Sequence, residues 1–105
     1  SLMRLAFTPL AEQDLEAIAD YIAADNPVRA LSFVRELRTQ CQRITLNPPG
    51  YRLRPELGDR IRSCAHGHHV IFFESNSDVV VIVRILHGAR DIPAVFGADP
   101  ESPLR

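Results

Sequence analysis

Apolar residues recur at helical spacing in the first half of the chain. Thr8-Pro9 predicts the start of a helix, because a hydroxyl at the N-cap and a proline in the first turn are typical of helix starts. The apolar positions that follow share one helical face, and they are Leu15, Ile18, Ala19 and Ile22. The segment Asp25-Asn26-Pro27 ends this pattern and also supplies the cap and proline of a second helix.

The second predicted helix has the clearest periodicity in the chain. Its apolar residues form one stripe over about four turns, and they are Ala30, Phe33, Val34, Leu37, Cys41 and Ile44. Residues 47–50 (Asn-Pro-Pro-Gly) end the helix. Two amphipathic helices with so short a join predict an antiparallel hairpin, whose shared apolar face needs a sheet to cover it.

The second half of the chain alternates strand-like runs with turns. The pattern predicts strands at 61–65, 69–74 and 79–86 and turns at 66–68 and 75–78. Residues 51–58 are predicted to be irregular or edge-like, because Pro55 cannot donate to a ladder. Residues 90–96 are predicted to form a short helix or arm.

This order of elements predicts an α+β fold, in which an N-terminal antiparallel helix hairpin packs on a small antiparallel β-sheet. We expect a single domain over residues 3–96 and a poorly ordered tail over 97–105. The last strand is apolar at every position from Val79 to Val83, which is typical of a strand buried on both faces. Since two helices cover only one face, either the C-terminal arm or another chain must cover the other face.

Composition and charge remove several classes of function. The 105 residues carry 13 acidic and 12 basic side chains, and every basic one is arginine. This balance excludes a strongly basic nucleic-acid coat or a polybasic membrane patch, and the absence of lysine excludes Schiff-base chemistry and a P-loop. No apolar run approaches the length of a membrane helix, and the start does not resemble a signal peptide. With two cysteines, Cys41 and Cys64, we expect reduced thiols in a cytoplasmic protein.

Five motifs in order resemble the ParE/RelE superfamily of bacterial toxin–antitoxin toxins, and most closely its ParE branch. They extend from residue 14 to 92. The motifs are Asp14-Leu15-x-x-Ile18-x-x-Tyr21-Ile22, Asp25-Asn26-Pro27-x-x-Ala30, Arg52-x-Arg54-Pro55-Glu56-Leu57, Val70-Ile71-Phe72-Phe73 and Val83-Arg84-Ile85-Leu86-His87-Gly88-Ala89-Arg90-Asp91-Ile92. The ordered combination is more specific than any one motif, above all the strand that ends in His-Gly-Ala-Arg-Asp-Ile.

The resemblance implies a small cytoplasmic toxin of a type II toxin–antitoxin system, the kind of system linked to plasmid stabilisation. A cognate ParD-like antitoxin would hold it inactive, and antitoxin segments lying over the toxin would suit an uncovered sheet face. ParE-like members are associated with poisoning of DNA gyrase, and RelE-like members with cleavage of mRNA on the ribosome. A non-toxic remnant that only binds its antitoxin is a third possibility.

Arg62, Arg84, His87 and Arg90 are the residues most suggestive of chemistry. A metal-free ribonuclease needs proton-transfer groups and cations, roles that His87, Arg62 and Arg84 could fill. RelE-like ribonucleases often add lysines and a C-terminal tyrosine, which this chain lacks. Arg84 and His87 also stand an odd number of positions apart, so they converge only if the chain bulges or turns at residues 86–88.

Two alternatives stand beside catalysis: this end of the sheet, with Arg84, His87 and Arg90, binds a macromolecular target, or the residues are structural. Arg84 would then pair with a carboxylate such as Asp91 or Glu74, and His87 would close a turn through a hydrogen bond. The segment Cys64–His69 contains metal-ligand residue types but lies across a predicted turn without a second ligand pair, so we expect no metal there. No cofactor is expected either.

Charge is distributed unevenly along the chain. The first helix and the residues after it carry five acids, Glu12, Asp14, Glu16, Asp20 and Asp25. Residues 52–62 carry four arginines, Arg52, Arg54, Arg60 and Arg62, against two acids. This basic segment is either a solvated face or a surface for an anionic partner, such as an acidic antitoxin tail, a gyrase face or a phosphate. We favour a binding toxin directed at DNA gyrase, with no membrane role and no strong direct nucleic-acid binding.

Overall fold

The computed structural model describes residues 3–89 and 92–98. Its helices are α1 (Pro9–Ala23), α2 (Pro27–Ile44) and α3 (Ile92–Ala98), with a short 3₁₀ turn at Pro48–Gly50. Its strands are β1 (Arg4–Phe7), β2 (Arg52–Leu53), β3 (Arg62–His66), β4 (His69–Ser75) and β5 (Val79–His87). Seven residues of the expected tail, 99–105, lie outside the described residues.

Both long helices begin where the sequence predicts. The Thr8 hydroxyl accepts a hydrogen bond from the Ala11 N–H at 3.0 Å, and the Asn26 side chain accepts one from the Arg29 N–H at 3.0 Å. Each cap satisfies a first-turn donor, and a proline occupies the first turn of each helix. The helices form the predicted hairpin on one face of the sheet. None of the helices in the described part of the chain is both long and apolar enough to span a membrane.

The sheet has five strands in the order β1-β5-β4-β3-β2. The predicted antiparallel meander forms its centre, and the α+β fold class is confirmed. The sequence pattern missed β1, which pairs in parallel with β5, so the sheet is mixed rather than wholly antiparallel. This strand has only four residues and lies at an edge, where half-buried side chains give a weak alternation.

The sheet has a buried apolar layer on each face. On the hairpin face, α1 and α2 cover a core that includes Leu37, Ile71 and Phe73. On the other face, α3 and the segment before β3 contribute Phe96 and Leu57 to a second core. The arm after β5 therefore covers the second face, as one of the two sequence hypotheses required, and β5 is buried on both sides.

A bulge interrupts the pairing of β4 with β5. Phe72 lies opposite Arg84 and Phe73 opposite Ile82, so Val83 is the extra residue. Beyond it the pairing is regular through His69 and His87. The irregularity lies before Arg84, whereas the convergence of Arg84 with His87 required one at residues 86–88.

Candidate functional site

Arg84 is held by a carboxylate from the first helix. Its Nε donates to Asp14 Oδ2 at 2.8 Å and its Nη2 donates to Asp14 Oδ1 at 3.0 Å, a bidentate pair. The two side chains are only 11% and 12% exposed. The sequence predicted a carboxylate partner and suggested Asp91 or Glu74. Asp14 is the observed one, while Asp91 lies outside the described residues.

Asp14 also completes the edge of β5. Strand β1 ends opposite Ile82, so the next backbone groups of β5 have no strand beside them. The Thr8 hydroxyl donates to the Val83 carbonyl at 2.8 Å, and Asp14 Oδ2 accepts the Ile85 N–H at 2.9 Å. The start of α1 thus satisfies backbone groups whose burial without partners would be costly. Arg84 and Asp14 form a structural clasp between α1 and β5.

His87, at the end of β5, is exposed and closes a turn. Its Nδ1 accepts the Ala89 N–H at 3.1 Å, as the structural alternative predicted. The accepting nitrogen carries no proton, so the proton of the neutral ring is on Nε2. His87 lies beside other imidazoles, and β4 separates it from β3, the strand that carries Arg62. Arg90 lies outside the described residues.

Arg62 belongs to β3 and binds backbone carbonyls. Its Nη1 donates to the Tyr51 carbonyl at 2.7 Å and to the Pro49 carbonyl at 3.3 Å, so it braces the segment that leads into β2. Strand β4 lies between Arg62 and β5. The structure therefore engages Arg62, Arg84 and His87 in three separate local contacts.

The remaining arginines of residues 52–62 divide into two kinds. Arg54 bonds Glu56 at 2.7 Å and lies over the Phe72 ring at 5.6 Å, with 20% of its side chain exposed. This bond is the largest reason that the pKa of the Glu56 carboxyl is lowered. Arg52 and Arg60 are exposed, and neither forms an ion pair within residues 3–89 and 92–98.

A groove of about 280 Å³ runs between the second half of α1 and the end of β5. Its lining is Asp14, Ala17, Ile18, Tyr21, Ile22, His69, Ile85, Leu86 and His87. The Tyr21 side chain is 84% exposed at its rim, an unusual position for a large aromatic residue. A larger, shallow depression of 720 Å³ lies at the C-terminal end of α2, and its lining contains none of the predicted site residues.

The two cysteines are buried thiols on the hairpin side of the sheet. Burial, with a smaller effect of the nearby Cys64, raises the pKa of Cys41 to about 12, and burial also raises the pKa of Cys64. Thiols with raised pKa values are poor nucleophiles at neutral pH. Within the described part of the chain, no three histidine, cysteine or acidic side chains come close enough to hold a metal ion.

Sequence reasoning missed three residues of this region, namely Asp14 as a partner of Arg84, and Tyr21 and His69 as groove residues. A signal for Asp14 was present. Helical spacing places it on the inward face with Ala11, Leu15 and Ile18, and an acid on an apolar stripe requires a partner. The groove had no such signal, because it forms only where α1 crosses β5.

Solved structures share this arrangement of a helix hairpin on a mostly antiparallel sheet. The chromosomal ParDE toxin–antitoxin system from P. aeruginosa matches with a TM-score of 0.69 and 25% identity, over 82% of this chain and 96% of that chain. The toxin–antitoxin complex RelBE2 from Mycobacterium tuberculosis matches with a TM-score of 0.59 and 24% identity, over 83% and 99%. The latter likeness concerns the fold alone. The fold is thus that of ParE and RelE toxins.

The family described as the ParE toxin of the type II toxin–antitoxin system, parDE, matches residues 5–92. The chain belongs to this family, and the resemblance to the ParE branch is confirmed. The match begins within β1, which the five sequence motifs did not reach. No curated protein sequence matches the chain significantly.

Proposed function

We propose that this ParE-type toxin acts by binding DNA gyrase and that a cognate ParD-like antitoxin neutralises it. Membership of the ParE family supports the proposal, since ParE-like toxins are associated with poisoning of gyrase. The solved P. aeruginosa relative is a ParDE system, which supports an antitoxin partner. The action takes place in the cytoplasm, where gyrase works, and requires neither a cofactor nor a membrane.

The ion pair between Arg84 and Asp14 is the observation that favours target binding over RNA cleavage. A metal-free ribonuclease needs cations aimed at the charge that develops on the phosphorus oxygens. Here the Arg84 guanidinium is already neutralised by Asp14 in a largely buried pair, and separating them would leave an uncompensated buried charge. Arg62 is bonded to carbonyls two strands away, so the groups are not arranged around one phosphate.

The exposed arginines favour contact with an anionic protein surface. Arg52 is the first residue of β2, Leu53 beside it is 45% exposed, and Arg60 lies just before β3, the strand that pairs with β2. Exposed charges beside an apolar side chain are typical of the rim of a protein interface. We assign this surface, composed of Arg52, Leu53 and Arg60, to contact with the target.

The experiment that tests the proposal runs two assays on the purified full chain. Gyrase supercoiling and DNA-cleavage assays should show inhibition, and addition of the cognate antitoxin should reverse it. Translating ribosomes treated in parallel should yield intact mRNA. Unchanged gyrase together with codon-resolved mRNA cuts would contradict the proposal. In that case His87→Ala should abolish cutting, whereas His68→Ala, a matched change at a neighbouring exposed imidazole, should not.

A chain that binds its antitoxin and affects neither gyrase nor mRNA would be a non-toxic remnant. Antitoxin binding is therefore measured in the same preparation by calorimetry. It separates a folded chain that has lost toxicity from a chain that has not folded.

A further inference from the structure

The edge of β5 that faces α1 continues beyond the end of β1. Strand β1 stops opposite Ile82, whereas β5 runs on to His87. The Gly88 N–H is bonded on the β4 side, and the Ile85 N–H is accepted by Asp14 on the α1 side. Because successive residues of a strand point their backbone groups to opposite sides, the Ile85 carbonyl and the His87 N–H both face α1.

These two backbone groups form an open edge, since neither has a hydrogen-bond partner within the described part of the chain. One residue of an added strand, lying beside Leu86 and parallel to β5, would donate to the Ile85 carbonyl and accept from the His87 N–H. An antiparallel partner opposite Ile85 would compete with Asp14 for the Ile85 N–H. The open edge therefore favours a parallel strand, the direction in which β1 already pairs with β5.

The groove between α1 and β5 is placed to receive side chains of such a strand. The residue beside Leu86 would point its side chain to the second face of the sheet, as Leu86 does, and its two neighbours would point theirs to the hairpin face. On that face lies the groove of about 280 Å³, with a mainly apolar lining and Tyr21 at its rim. The charge of its Asp14 is balanced by Arg84. The groove therefore suits apolar side chains at alternate positions of the added strand.

The end of the groove at Tyr21 is acidic. Tyr21 belongs to the last turn of α1, which contains no basic residue, and the exposed acids Asp20 and Asp25 lie before and after it in the sequence. Neither acid forms an ion pair with another of the residues that the structure describes. The C-terminal end of a helix adds partial negative charge. From the contact of Asp14 with Ile85, α1 continues to Tyr21 as β5 continues onward, so a parallel strand would leave the groove at this acidic end.

We propose that the open edge and the groove seat an extended segment of the cognate antitoxin, added parallel to β5, with apolar residues at alternate positions followed by a basic residue. The inference rests on the proposed function for the antitoxin as a partner. The surface assigned to the target, Arg52, Leu53 and Arg60, lies around β2 at the opposite edge of the sheet, which leaves the groove to the antitoxin. Strand addition supplies affinity through main-chain bonds and specificity through the side chains in the groove.

Amide hydrogen exchange tests the open edge directly. The full ¹⁵N-labelled chain is followed by NMR alone and with unlabelled antitoxin. In the free chain the His87 amide should exchange rapidly, whereas the Gly88 amide, which donates to the His68 carbonyl, should be protected. Bound antitoxin should slow exchange of the His87 amide by about tenfold or more and change that of Gly88 less.

A substitution at the rim tests the groove. Tyr21→Ala should raise the Kd for the antitoxin about tenfold in calorimetry, because a large aromatic contact is lost. The Tyr21 side chain is 84% exposed, so the variant should keep the fold. Leu46→Ala is the matched control, since Leu46 is 82% exposed and lines the depression at the end of α2. It should leave the Kd unchanged.

A pair of charge variants tests the acidic end. Asp20→Asn with Asp25→Asn should raise the Kd about threefold, and added salt should reduce the difference from the unmodified chain. Asp59→Asn with Asp78→Asn removes two exposed acids outside the groove and should have no such effect. Equal losses in the two double variants would overturn the assignment of a basic residue to this end.

Bound antitoxin that leaves the His87 amide exchanging rapidly would overturn the proposal, while the antitoxin would remain a partner. Protection of this amide by gyrase, or in the chain alone as its concentration rises, would assign the edge to the target or to a second copy and overturn it equally. Absence of gyrase inhibition together with protection by the antitoxin would contradict the proposed target and support this seat. Should Tyr21→Ala fail to fold, exchange in the unmodified chain decides.

Discussion

Arg84, near the end of β5, and Arg60, before β3, are both candidate binding residues from the sequence. In the fold, Arg84 is buried in an ion pair and Arg60 is exposed. Arg84 is largely buried and bound through two hydrogen bonds to Asp14, seventy positions away. Arg60 is exposed and forms no ion pair within the described residues. A buried guanidinium that is paired in this way holds the fold together, whereas an exposed one is available to a partner. Charge counted along the chain does not distinguish the two.

The largest expected effect comes from breaking the clasp. Asp14→Ala leaves the Arg84 charge with less compensation in a site that is about nine-tenths shielded, and it removes the acceptor of the Ile85 N–H. We expect a loss of about 3–5 kcal/mol in the free energy of unfolding. Urea unfolding followed by circular dichroism measures it.

The matched control for this change lies on the same helix. Glu12 pairs with Arg38 at 3.2 Å, but both side chains are about half exposed. Glu12→Ala should therefore cost no more than about 1 kcal/mol. Equal losses for Asp14→Ala and Glu12→Ala would show that the clasp has no special structural role.

The clasp also shows what sequence could and could not provide. Helices α1 and α2 were predictable because Thr8-Pro9 and Asn26-Pro27 are local signals, and the caps form within three residues. The pairing of Asp14 with Arg84 depends on where α1 crosses β5, which no local pattern records. The inward position of Asp14 required a cation but did not identify which one.

The sheet shows the same limit. Strands β4 and β5 were predictable because each is a long and largely apolar run, and β3 because it precedes a turn and the meander joins neighbours in sequence. Strand β1 pairs with β5, which lies more than seventy residues away in sequence. The bulge at Val83 depends on the register in which β5 pairs with β4. The resemblance to ParE toxins predicted the family and the fold. The role of each arginine became visible only in the structure.

Arg54 is intermediate between the two extremes and gives the next effect in size. Its guanidinium lies over the Phe72 ring and its Nη1 donates to the Ser63 hydroxyl at 3.4 Å. Arg54→Ala should lower the free energy of unfolding by about 1 kcal/mol through lost packing and ring contact. Arg54→Met keeps the apolar stem, so its loss in urea unfolding should be smaller. A larger loss for methionine would contradict this account.

The partner of Arg54 gives a smaller, pH-dependent effect. Hydrogen bonding to Arg54 lowers the pKa of the Glu56 carboxyl below its unfolded value. The contribution of this pair to stability is therefore present above the unfolded pKa of glutamate and is lost as the pH falls through the folded one. NMR titration should show the Glu56 carboxyl returning towards an ordinary value in Arg54→Met. An unchanged Glu56 titration would assign the shift to another cause.

The smallest effect on stability is expected where we propose the largest effect on target binding. Arg52→Ser with Arg60→Ser should change the free energy of unfolding by no more than about 0.5 kcal/mol for each substitution, because both side chains are exposed. The same double variant should weaken gyrase inhibition, and added salt should reduce the difference from the unmodified chain, since exposed charges are screened.

Arg35→Ser with Arg43→Ser removes two exposed arginines from α2 and is the matched control. If both double variants weaken inhibition equally, net charge rather than the surface around β2 determines target binding. If only the first does, the exposed arginines of residues 52–62 contact the target while Arg84 serves the fold.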